Sequence, residues 1–550
     1  MTGRREFLQW AAALAAAIPA ARSVRALAQQ QITQDDLLAF EPLGQVTLIH
    51  MADLHAQLMP LYVREPVTSF ERRAGRAFLD AYAVPYGSPL GYALAGEDFQ
   101  PLAKSYGKVG GLDRIATVIG AIQAERPEQT LVLDGGDSWQ GSYAALQTRG
   151  DDMVEAMNAL GVEVMTGHWE FMLGRERLLE LLEKSEASFL ADNVRDTEWD
   201  DQPFDGVGFF DVGGINIAVI GLAYAQIAAA NAPWMVKNLA FAVDPQRVRN
   251  RVAELRAQGA QLVVVLSHNG RAFDRRLATL VPGIDVIFSA HSHDAWPTPD
   301  VVNNTLIVAS GAHGKFVSRL DLDVQDNRVA AHRYKLIPVL ADAISPDAEM
   351  AEIVARLRAP FDKVQRRILG RAESILYRRD ALEGTTDNLI LDALSEAADA
   401  EIALSPGFRW GATVLPGEDI TVEDVMGQVA ITYGSTYRTQ MSGAASKAAM
   451  EAAADGVFNP DPFNRIGYDM MRAGGLSFTL DPAQSAGARV NDLVVLRNGK
   501  PLDPGKTYVV AGWAGSDAAQ GPAIWDIVMR YIERRKTVRP QERKRVRLAG

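Results

Sequence analysis

The chain contains no cysteine among its 550 residues. This absence excludes disulfide bonds, thiolate metal ligands and a cysteine nucleophile, so any bound metal must rely on oxygen and nitrogen ligands. The chain also has no excess of positive charge. It contains 56 lysines and arginines and 68 aspartates and glutamates, which gives a net charge of −12. This balance argues against a protein that grips nucleic acid or an anionic membrane. An anionic substrate would have to be attracted by a local positive charge.

Long apolar runs are missing except near the amino terminus. There Arg4-Arg5 precede an apolar run over residues 11–21, and Ala26-Leu27-Ala28 follow as a small-x-small cleavage site. This order is typical of a twin-arginine export signal, and the run is too short to span a bilayer. We therefore expect residues 1–28 to be a signal peptide. The mature protein is expected to be soluble and periplasmic, without a nucleic-acid or membrane partner. Its oligomeric state stays open, with a monomer favoured.

The rest of the chain is too long for one hydrophobic core, so we expect at least two domains. Apolar runs alternate with amphipathic helical patterns, which predicts an α/β fold with βαβ-type layers. The charged helical pattern over residues 346–368 indicates a linker. It would join a first domain, residues 29–345, to a second α/β domain, residues 369–550.

Two segments have unusual patterns within this scheme. Residues 56–108 contain five prolines and several tyrosines and glycines, which favours a rim loop over core. In the second domain the sequence predicts a helix from Asp387 to Ala398 and another over residues 443–456. After Pro482 it predicts strands and loops.

Residues of the metal-ligand type recur at the ends of five predicted strands. The central case is the apolar run Leu131–Asp134, which stops at Gly135-Gly136-Asp137. The two glycines let the backbone approach a ligand closely, and the acid supplies a hard oxygen atom. In open α/β sheets, ligands gather at the carboxyl edge of the strands. The strand-end candidates are Asp53, His55, Asp137, His168, His268, His291 and His293.

Only eight histidines are present, and five of them lie at these strand ends. We interpret the other three, His50, His313 and His332, as structural. Seven ligands are too many for one ion and suit two, and a mixture of carboxylate and imidazole suits Mn²⁺, Fe or Zn²⁺. Two divalent ions with two aspartates would leave a local charge of about +2, which attracts an anion despite the acidic protein. They would also lower the pKa of a bridging water, so that hydroxide is available at neutral pH.

Five short motifs resemble the metal-binding blocks of the calcineurin-like metallophosphoesterases. They are Asp53-x-His55, Gly135-Gly136-Asp137, Gly167-His168-x-Glu170, Ser267-His268-x-Gly270 and Ala290-His291-Ser292-His293. Their order and spacing, followed by a second domain, are similar to those of the periplasmic 5′-nucleotidase group.

This resemblance implies a four-layer αββα sandwich as the dimetal catalytic domain and a C-terminal 5′-nucleotidase-type α/β domain that binds substrate. It also implies which residues share an ion. Asp137 would bridge the two ions. One ion would be bound by Asp53, His55 and His293, and the other by His168, His268 and His291.

Two positions depart from the phosphoesterase pattern. Where that family has Gly-Asn-His followed by an acid, with the histidine as general acid, this chain has Gly167-His168-Trp169-Glu170. An indole cannot donate the proton that a poor alkoxide leaving group needs, so we expect a substrate that leaves as a stable anion. The stretch Ser405-Pro406-Gly407-Phe408-Arg409-Trp410 also replaces the Asn-Gly-Gly-rich stretch that precedes an arginine in nucleotidases.

Both departures, together with the export signal, resemble the SoxB family of periplasmic sulfur-oxidation thiosulfohydrolases. The resemblance implies two Mn²⁺ ions, a SoxYZ carrier protein bearing a cysteine-S-thiosulfonate, and release of sulfate after attack by a metal-bridging hydroxide. We expect Arg409 to bind sulfonate oxygens, Trp169 to exclude water and Glu170 to orient a metal-bound histidine. A channel between the domains would admit the carrier. The catalytic set is therefore Asp137, His168, Trp169 and Arg409.

Two other functions stay open at this point. A 5′-nucleotidase or cyclic phosphodiesterase would use the same metals and release phosphate, with aromatic residues of the second domain stacked on a base. The candidates for stacking are Phe408, Trp410, Tyr433 and Tyr437. A non-catalytic metal-binding component of a sulfur-oxidation complex is the third function, although the intact ligand set argues against it.

Overall fold

The computed structural model describes residues 32–66, 70, 75–467, 469–515, 519–540 and 545–549. The predicted export signal, residues 1–28, lies outside these described residues. Within the described ranges, no helix combines the length and the apolar character needed to cross a membrane.

Two six-stranded sheets form the centre of the first part of the chain. In spatial order, the first sheet contains β14 (Arg328–Pro338), β13 (Phe316–Gln325), β1 (Val46–Met51), β2 (Thr130–Asp134), β3 (Val164–Met165) and β4 (Ser188–Phe189). The second contains β11 (Asp300–Val302), β12 (Thr305–Val308), β10 (Val286–Ser289), β9 (Leu262–Ser267), β7 (Ile215–Leu222) and β6 (Val207–Val212). Strands β1 to β4 are mutually parallel, as are β7, β9, β10 and β12.

The two sheets pack face to face, because successive side chains of a strand point to opposite faces. Leu48 of β1 and Val264 of β9 lie in the core between the sheets. The next residue of β1, Ile49, packs instead against the helices on the outer face of the first sheet. Val263 of β9 does the same on the outer face of the second sheet. The result is a four-layer αββα sandwich, which confirms the predicted fold class.

Eleven helices are described before residue 345. They are α1 (Gln34–Leu38), α2 (Gly75–Ala81), α3 (Pro89–Leu94), α4 (Phe99–Tyr106), α5 (Leu112–Glu125), α6 (Tyr143–Thr148), α7 (Asp151–Ala159), α8 (Arg175–Leu182), α9 (Ile227–Ala230), α10 (Pro245–Ala257) and α11 (Arg271–Leu280). Short 3₁₀ helices cover Trp169–Leu173 and Pro233–Val236, and a two-stranded ribbon joins β5 (Val194–Asp196) to β8 (Leu239–Phe241).

The described part of the segment expected to be a rim loop contains three helices and contributes to the core. Helices α2, α3 and α4 lie within it and bury Phe78, Tyr92 and Leu102. The prolines led to the wrong prediction because two of the five, Pro89 and Pro101, lie in the first turn of a helix, where a missing N–H is tolerated. Pro89 opens α3, and the Ser88 hydroxyl caps that helix by accepting the Gly91 N–H at 3.0 Å.

This burial predicts a stability effect within α4. We expect Leu102→Ala to lower the free energy of unfolding by about 2–5 kcal/mol, because it leaves a cavity beneath the helix. The exposed Lys104 of the same helix is the matched control, and Lys104→Ala should change stability by less than about 0.5 kcal/mol. Denaturant unfolding followed by circular dichroism measures both. Equal effects of the two variants would contradict the core assignment.

Two helices, α12 (Ala348–Arg358) and α13 (Asp362–Gln365), occupy the predicted linker. Met350 and Val354 of α12 are buried in the same apolar cluster as α5, so this segment is docked on the first part of the chain. The domain boundaries themselves stay a prediction.

The strands after Arg367 form three smaller sheets. In spatial order these are β17 (Asp419–Thr421), β15 (Ile368–Ala372) and β24 (Thr537–Val538); β18 (Thr436–Ser442), β23 (Thr507–Trp513), β16 (Ile402–Ser405) and β19 (Arg472–Gly474); and β22 (Lys500–Pro501), β21 (Val490–Val495), β20 (Leu476–Leu480) and β25 (Val546–Leu548). The helices of this part are α14 (Thr385–Ala398), α15 (Val422–Val429), α16 (Gly443–Val457) and α17 (Ile524–Arg535), with a 3₁₀ turn at Pro462–Asn464.

Helix α17 is a correction, because strands and loops were expected after Pro482. Its buried residues recur at the i, i+3, i+4, i+7 and i+8 spacing of an amphipathic helix, a signal that was present in the sequence. They are Ile524, Ile527, Val528, Tyr531 and Ile532.

Candidate metal centre

Five strand ends converge where the two six-stranded sheets meet. Strands β1, β2 and β3 are parallel neighbours in one sheet, and β9 and β10 are parallel neighbours in the other. Their carboxyl ends therefore lie at one edge of each sheet. The seven predicted ligands follow these strands: Asp53 and His55 after β1, Asp137 after β2, His168 after β3, His268 after β9, and His291 and His293 after β10.

The structure brings all seven side chains together in two clusters. Within each cluster the candidate ligand atoms lie within 4.8 Å of one another. All seven residues are at most 4% exposed. Asp137 is common to both clusters. One cluster adds Asp53, His55 and His293, and the other adds His168, His268 and His291.

The backbone reaches this arrangement through left-handed conformations directly after the strands. Residues other than glycine enter this region at a cost of roughly 1–3 kcal/mol each, and such residues concentrate at functional sites. Hydrogen bonds brace the strained turns: the Asp53 N–H donates to the Gly136 carbonyl at 2.8 Å, and the His55 N–H donates to the Asp137 carbonyl at 2.9 Å. The positive φ angles belong to Asp53 (52°), His55 (50°), Asp137 (58°), His291 (73°) and His293 (57°).

The Asp137 carboxylate contacts both His168, which follows β3, and His268, which follows β9. Its Oδ2 lies 2.9 Å from Nδ1 of His168 and 3.1 Å from Nε2 of His268. The other ring nitrogen of His268, Nδ1, lies 2.6 Å from the Gly135 carbonyl. A backbone bond at one ring nitrogen leaves the other free to face a metal, which is the usual arrangement of a ligating histidine.

Burial and neighbouring charges shift the pKa values of these groups. Burial lowers the pKa of His55 and of His168 to about 4, which keeps both imidazoles in the neutral, metal-binding form. Burial alone would lower the pKa of His268, but the Asp137 carboxylate raises it to about 9. Burial raises the pKa of Asp53 to about 7. Two buried carboxylates among five imidazoles fit a pair of divalent cations, which would compensate the buried negative charge.

Glu170 holds the backbone of two of these loops. Its carboxylate accepts the N–H groups of Ser138 and His168, both at 2.8 Å. The sequence predicted that Glu170 orients a metal-bound histidine. The contact is made through the backbone N–H of His168, and the same carboxylate also joins the His168 loop to the Asp137 loop.

Trp169 is buried between the metal clusters and the second part of the chain. Its ring meets Trp410 edge-on, with centroids 4.5 Å apart, and lies 5.1 Å from the ring of His55. Its indole N–H donates to Oδ1 of Asn231 at 3.2 Å. The indole N–H is therefore hydrogen-bonded to the side-chain amide of Asn231, and the ring packs against Trp410.

A cavity of about 410 Å³ opens beside the clusters and is walled by both parts of the chain. Trp169 and Tyr224 line it from the first part, and Phe408, Arg409 and alanines of α16 line it from the second. The Arg409 guanidinium donates to the His291 carbonyl at 2.6 Å and lies 3.9 Å from the Asp469 carboxylate. This cavity lies where the sequence predicted a channel.

Sequence reasoning missed several residues of this site. Asn231 donates through Nδ2 to Nε2 of His168 at 2.9 Å, and its Oδ1 accepts the Tyr433 hydroxyl at 2.9 Å. The Tyr224 ring lies 4.0 Å from the ring of His291. Asn231 does not follow a strand end, so the pattern that identified the histidines gave no signal for it. Tyr433 was predicted only as a candidate for stacking on a base, and its contact with Asn231 was not expected.

The histidines interpreted as structural lie outside both clusters. His50 is inside β1, with Nδ1 2.6 Å from the Ser310 hydroxyl. His313 accepts the Gly411 N–H at 3.1 Å, and its ring lies 5.6 Å from that of His55, so it packs directly behind the site. His332 belongs to β14, at the far edge of the first sheet.

Comparisons with known proteins place this architecture in a class. The family "5'-nucleotidase, C-terminal domain" matches residues 368–521. The bovine 5'-nucleotidase (Bos taurus) is 24% identical over 437 residues, which cover 70% of this chain and 73% of that protein. The mouse 5'-nucleotidase (Mus musculus) is 25% identical over 320 residues, which cover 52% and 54%. The fold and the site thus define a two-part hydrolase of the metallophosphoesterase and 5'-nucleotidase type.

The solved structures narrow this class. The sulfate thiohydrolase SoxB of Thermus thermophilus superposes with a TM-score of 0.89 at 35% identity, covering 93% of this chain and 98% of that one. A 5'-nucleotidase precursor, also from Thermus thermophilus, superposes with a TM-score of 0.73 at 23% identity, covering 92% and 99%, a likeness that concerns the fold. The chain belongs to the SoxB family within the 5'-nucleotidase superfamily.

Sharing of Asp137 predicts how metal binding responds to substitution. Purified protein should bind two divalent ions, and Mn²⁺ should raise its melting temperature relative to chelator-treated protein. Asp137→Asn should weaken both ions because both clusters use this carboxylate, whereas Asp53→Asn should weaken one. Elemental analysis after dialysis counts the ions. Retention of two ions by Asp137→Asn would contradict the shared role.

Proposed function

We propose that this protein hydrolyses a cysteine-S-thiosulfonate carried on a SoxYZ-type carrier protein and releases sulfate. The observation that carries the proposal is the position of Trp169. Its ring lies 5.1 Å from that of the cluster residue His55, and it replaces the histidine that would be the general acid in a phosphoesterase. The similarity to the sulfate thiohydrolase SoxB over 93% of the chain supports the same reaction. Export to the periplasm through the signal at residues 1–28 is part of this proposal.

The residues that would hold two Mn²⁺ ions are the members of the two clusters, with Asp137 shared. Bound there, two divalent ions supply positive charge for an anion and a water nucleophile at neutral pH. Zn²⁺ or Fe would also suit this ligand set. Asp53 and Asp137 balance part of that charge, and the buried loops keep the ligands in place.

The leaving group explains why an acid is dispensable. A phosphate ester of an alcohol leaves as a poor alkoxide and needs a proton, which general acids supply with a rate gain of about 10²–10⁴. A thiosulfonate carrier leaves as a persulfide anion, which is stable without that proton. Trp169 has its indole N–H bonded to Asn231 and cannot protonate a leaving group. Its ring instead excludes water from the side of the cavity on which the persulfide would depart.

Arg409 supplies the positive charge of the cavity wall. Its guanidinium is positioned by the His291 carbonyl and faces a cavity that also contains Asp137 and His168. A planar guanidinium binds the oxygens of a tetrahedral anion through two donors. Arg409 would therefore orient the terminal sulfonate so that water attacks its sulfur opposite the bond to the carrier.

The aromatic residues of the second part argue against a stacked nucleotide base. Phe408 and Trp410 pack against each other with centroids 4.7 Å apart, so a base does not fit between them. Tyr433 donates its hydroxyl to Asn231, and Tyr437 on β18 pairs with Gly512 and is not among the residues that line the cavity. The relatives named 5'-nucleotidases still make phosphate release the alternative to test.

A product assay tests the reaction. Mature protein with Mn²⁺ should release sulfate from a thiosulfonate-loaded carrier protein and release little phosphate from AMP or bis-p-nitrophenyl phosphate. Asp137→Ala should abolish sulfate release because both ions depend on this carboxylate. Rapid phosphate release from AMP without sulfate release would mean that the protein is a nucleotidase with a different proton donor. Bound metal with turnover of neither substrate would indicate a non-catalytic component.

Position 169 tests the leaving-group argument. Trp169→His should raise phosphate release from AMP by about 10²-fold, because it restores a general acid beside the leaving group. Trp169→Phe keeps a ring without a proton donor and serves as the matched control, with no gain in phosphate release. Steady-state kinetics with both substrates measures the ratio. Equal phosphate release by the two variants would contradict the assigned role of Trp169.

A further inference from the structure

The loop that carries His291 and His293 is held from the second part of the chain by two arginines. Arg409 donates to the His291 carbonyl at 2.6 Å. Arg379 donates to the His293 carbonyl at 2.6 Å and to the Ser292 carbonyl at 3.3 Å. Three consecutive carbonyls of one ligand loop thus accept hydrogen bonds from guanidinium groups that lie beyond residue 369.

These carbonyls need external donors because of the backbone conformation. His291 and His293 have φ angles of 73° and 57°, so the loop follows neither a strand nor a helix. A buried carbonyl without a partner costs free energy comparable to a lost hydrogen bond. The two arginines therefore stabilise the strained conformation that turns both histidine rings towards the metal clusters.

Arg379 is itself fixed in a buried charge cluster. It lies 3.1 Å from the Glu65 carboxylate and 3.6 Å from that of Asp294, and its side chain is 6% exposed. Lys315 also pairs with Glu65. Among the described residues, the cations Arg379 and Lys315 thus lie against the anions Glu65 and Asp294, and the opposite charges compensate one another. The guanidinium accordingly has one defined position, directly behind the peptide of His293.

We propose that Arg379 is a positioning residue for the metal cluster that contains His293. It acts through the His293 carbonyl and touches neither substrate nor metal. His293 belongs to one cluster and His291, on the same loop, belongs to the other. Because Arg379 contacts the His293 carbonyl whereas Arg409 contacts the His291 carbonyl, loss of Arg379 weakens the ion bound by His293 more than its neighbour. The second part of the chain thereby completes a metal site whose ligands all come from the first part.

Metal titration of Arg379→Met tests this asymmetry. Outer contacts to a ligating residue typically contribute about 10–100-fold in metal affinity. We expect the variant to retain one tight Mn²⁺ and to bind the other about 10–100-fold more weakly, by isothermal titration calorimetry and elemental analysis. Arg379→Lys keeps the charge and one donor, and it should lose less affinity than Arg379→Met. Arg366→Met is the control, because Arg366 is 72% exposed and pairs on the surface with Asp362.

A double-mutant cycle identifies the affected ion. If Arg379 acts through His293, adding Arg379→Met to His293→Ala causes no further loss of affinity. Adding it to His168→Ala should weaken the one ion that remains. Unchanged affinity for both ions in Arg379→Met would overturn the proposal, as would an equal loss of both. Since metal binding is measured without substrate, these outcomes are independent of whether the protein releases sulfate.

Discussion

The shared carboxylate of Asp137 is the constraint on which the rest of this structure depends. Asp137 belongs to both clusters because the αββα sandwich brings the ends of β1 to β3 close to those of β9 and β10. The core between the sheets sets their separation. A substitution that changes the packing of that core would shift the clusters, because close-packed protein interiors transmit strain.

Convergence at this point requires backbone conformations that the ligands would not adopt alone. Five of the seven lie in the left-handed region, and the surrounding groups stabilise them. Glu170 gathers amides of the Asp137 and His168 loops from one side, and Arg379 gathers carbonyls of the His293 loop from the other. The Glu170 carboxylate therefore accepts hydrogen bonds from backbone N–H groups, and the Arg379 guanidinium donates hydrogen bonds to backbone carbonyls. Ligand geometry depends on both of these residues, which lie behind the ligands.

The ligands are predictable from the sequence, whereas most residues that support them are not. Apolar runs that stop at Gly-Gly-Asp or Gly-His are local patterns, so the strand ends and their seven candidates follow from composition and period. Arg379 contacts His293 across 86 residues of sequence, and Asn231 contacts His168 across 63, so no local pattern links them. Prolines at helix starts were taken for loop signals in α3. The amphipathic spacing of α17 was readable in the sequence and was missed.

The replacement at position 169 joins the chemistry of the site to its architecture. A general acid must lie within hydrogen-bond reach of the leaving group and carry a proton that it can give up near the working pH. Trp169 is instead fixed by Trp410 and Asn231, and Trp410 comes from the second part of the chain. Trp169 therefore replaces the general acid and, through its contact with Trp410, also joins the two parts of the chain at the cavity. A substrate whose leaving group needs no proton is compatible with an indole at this position, whereas a poor leaving group would need a different proton donor.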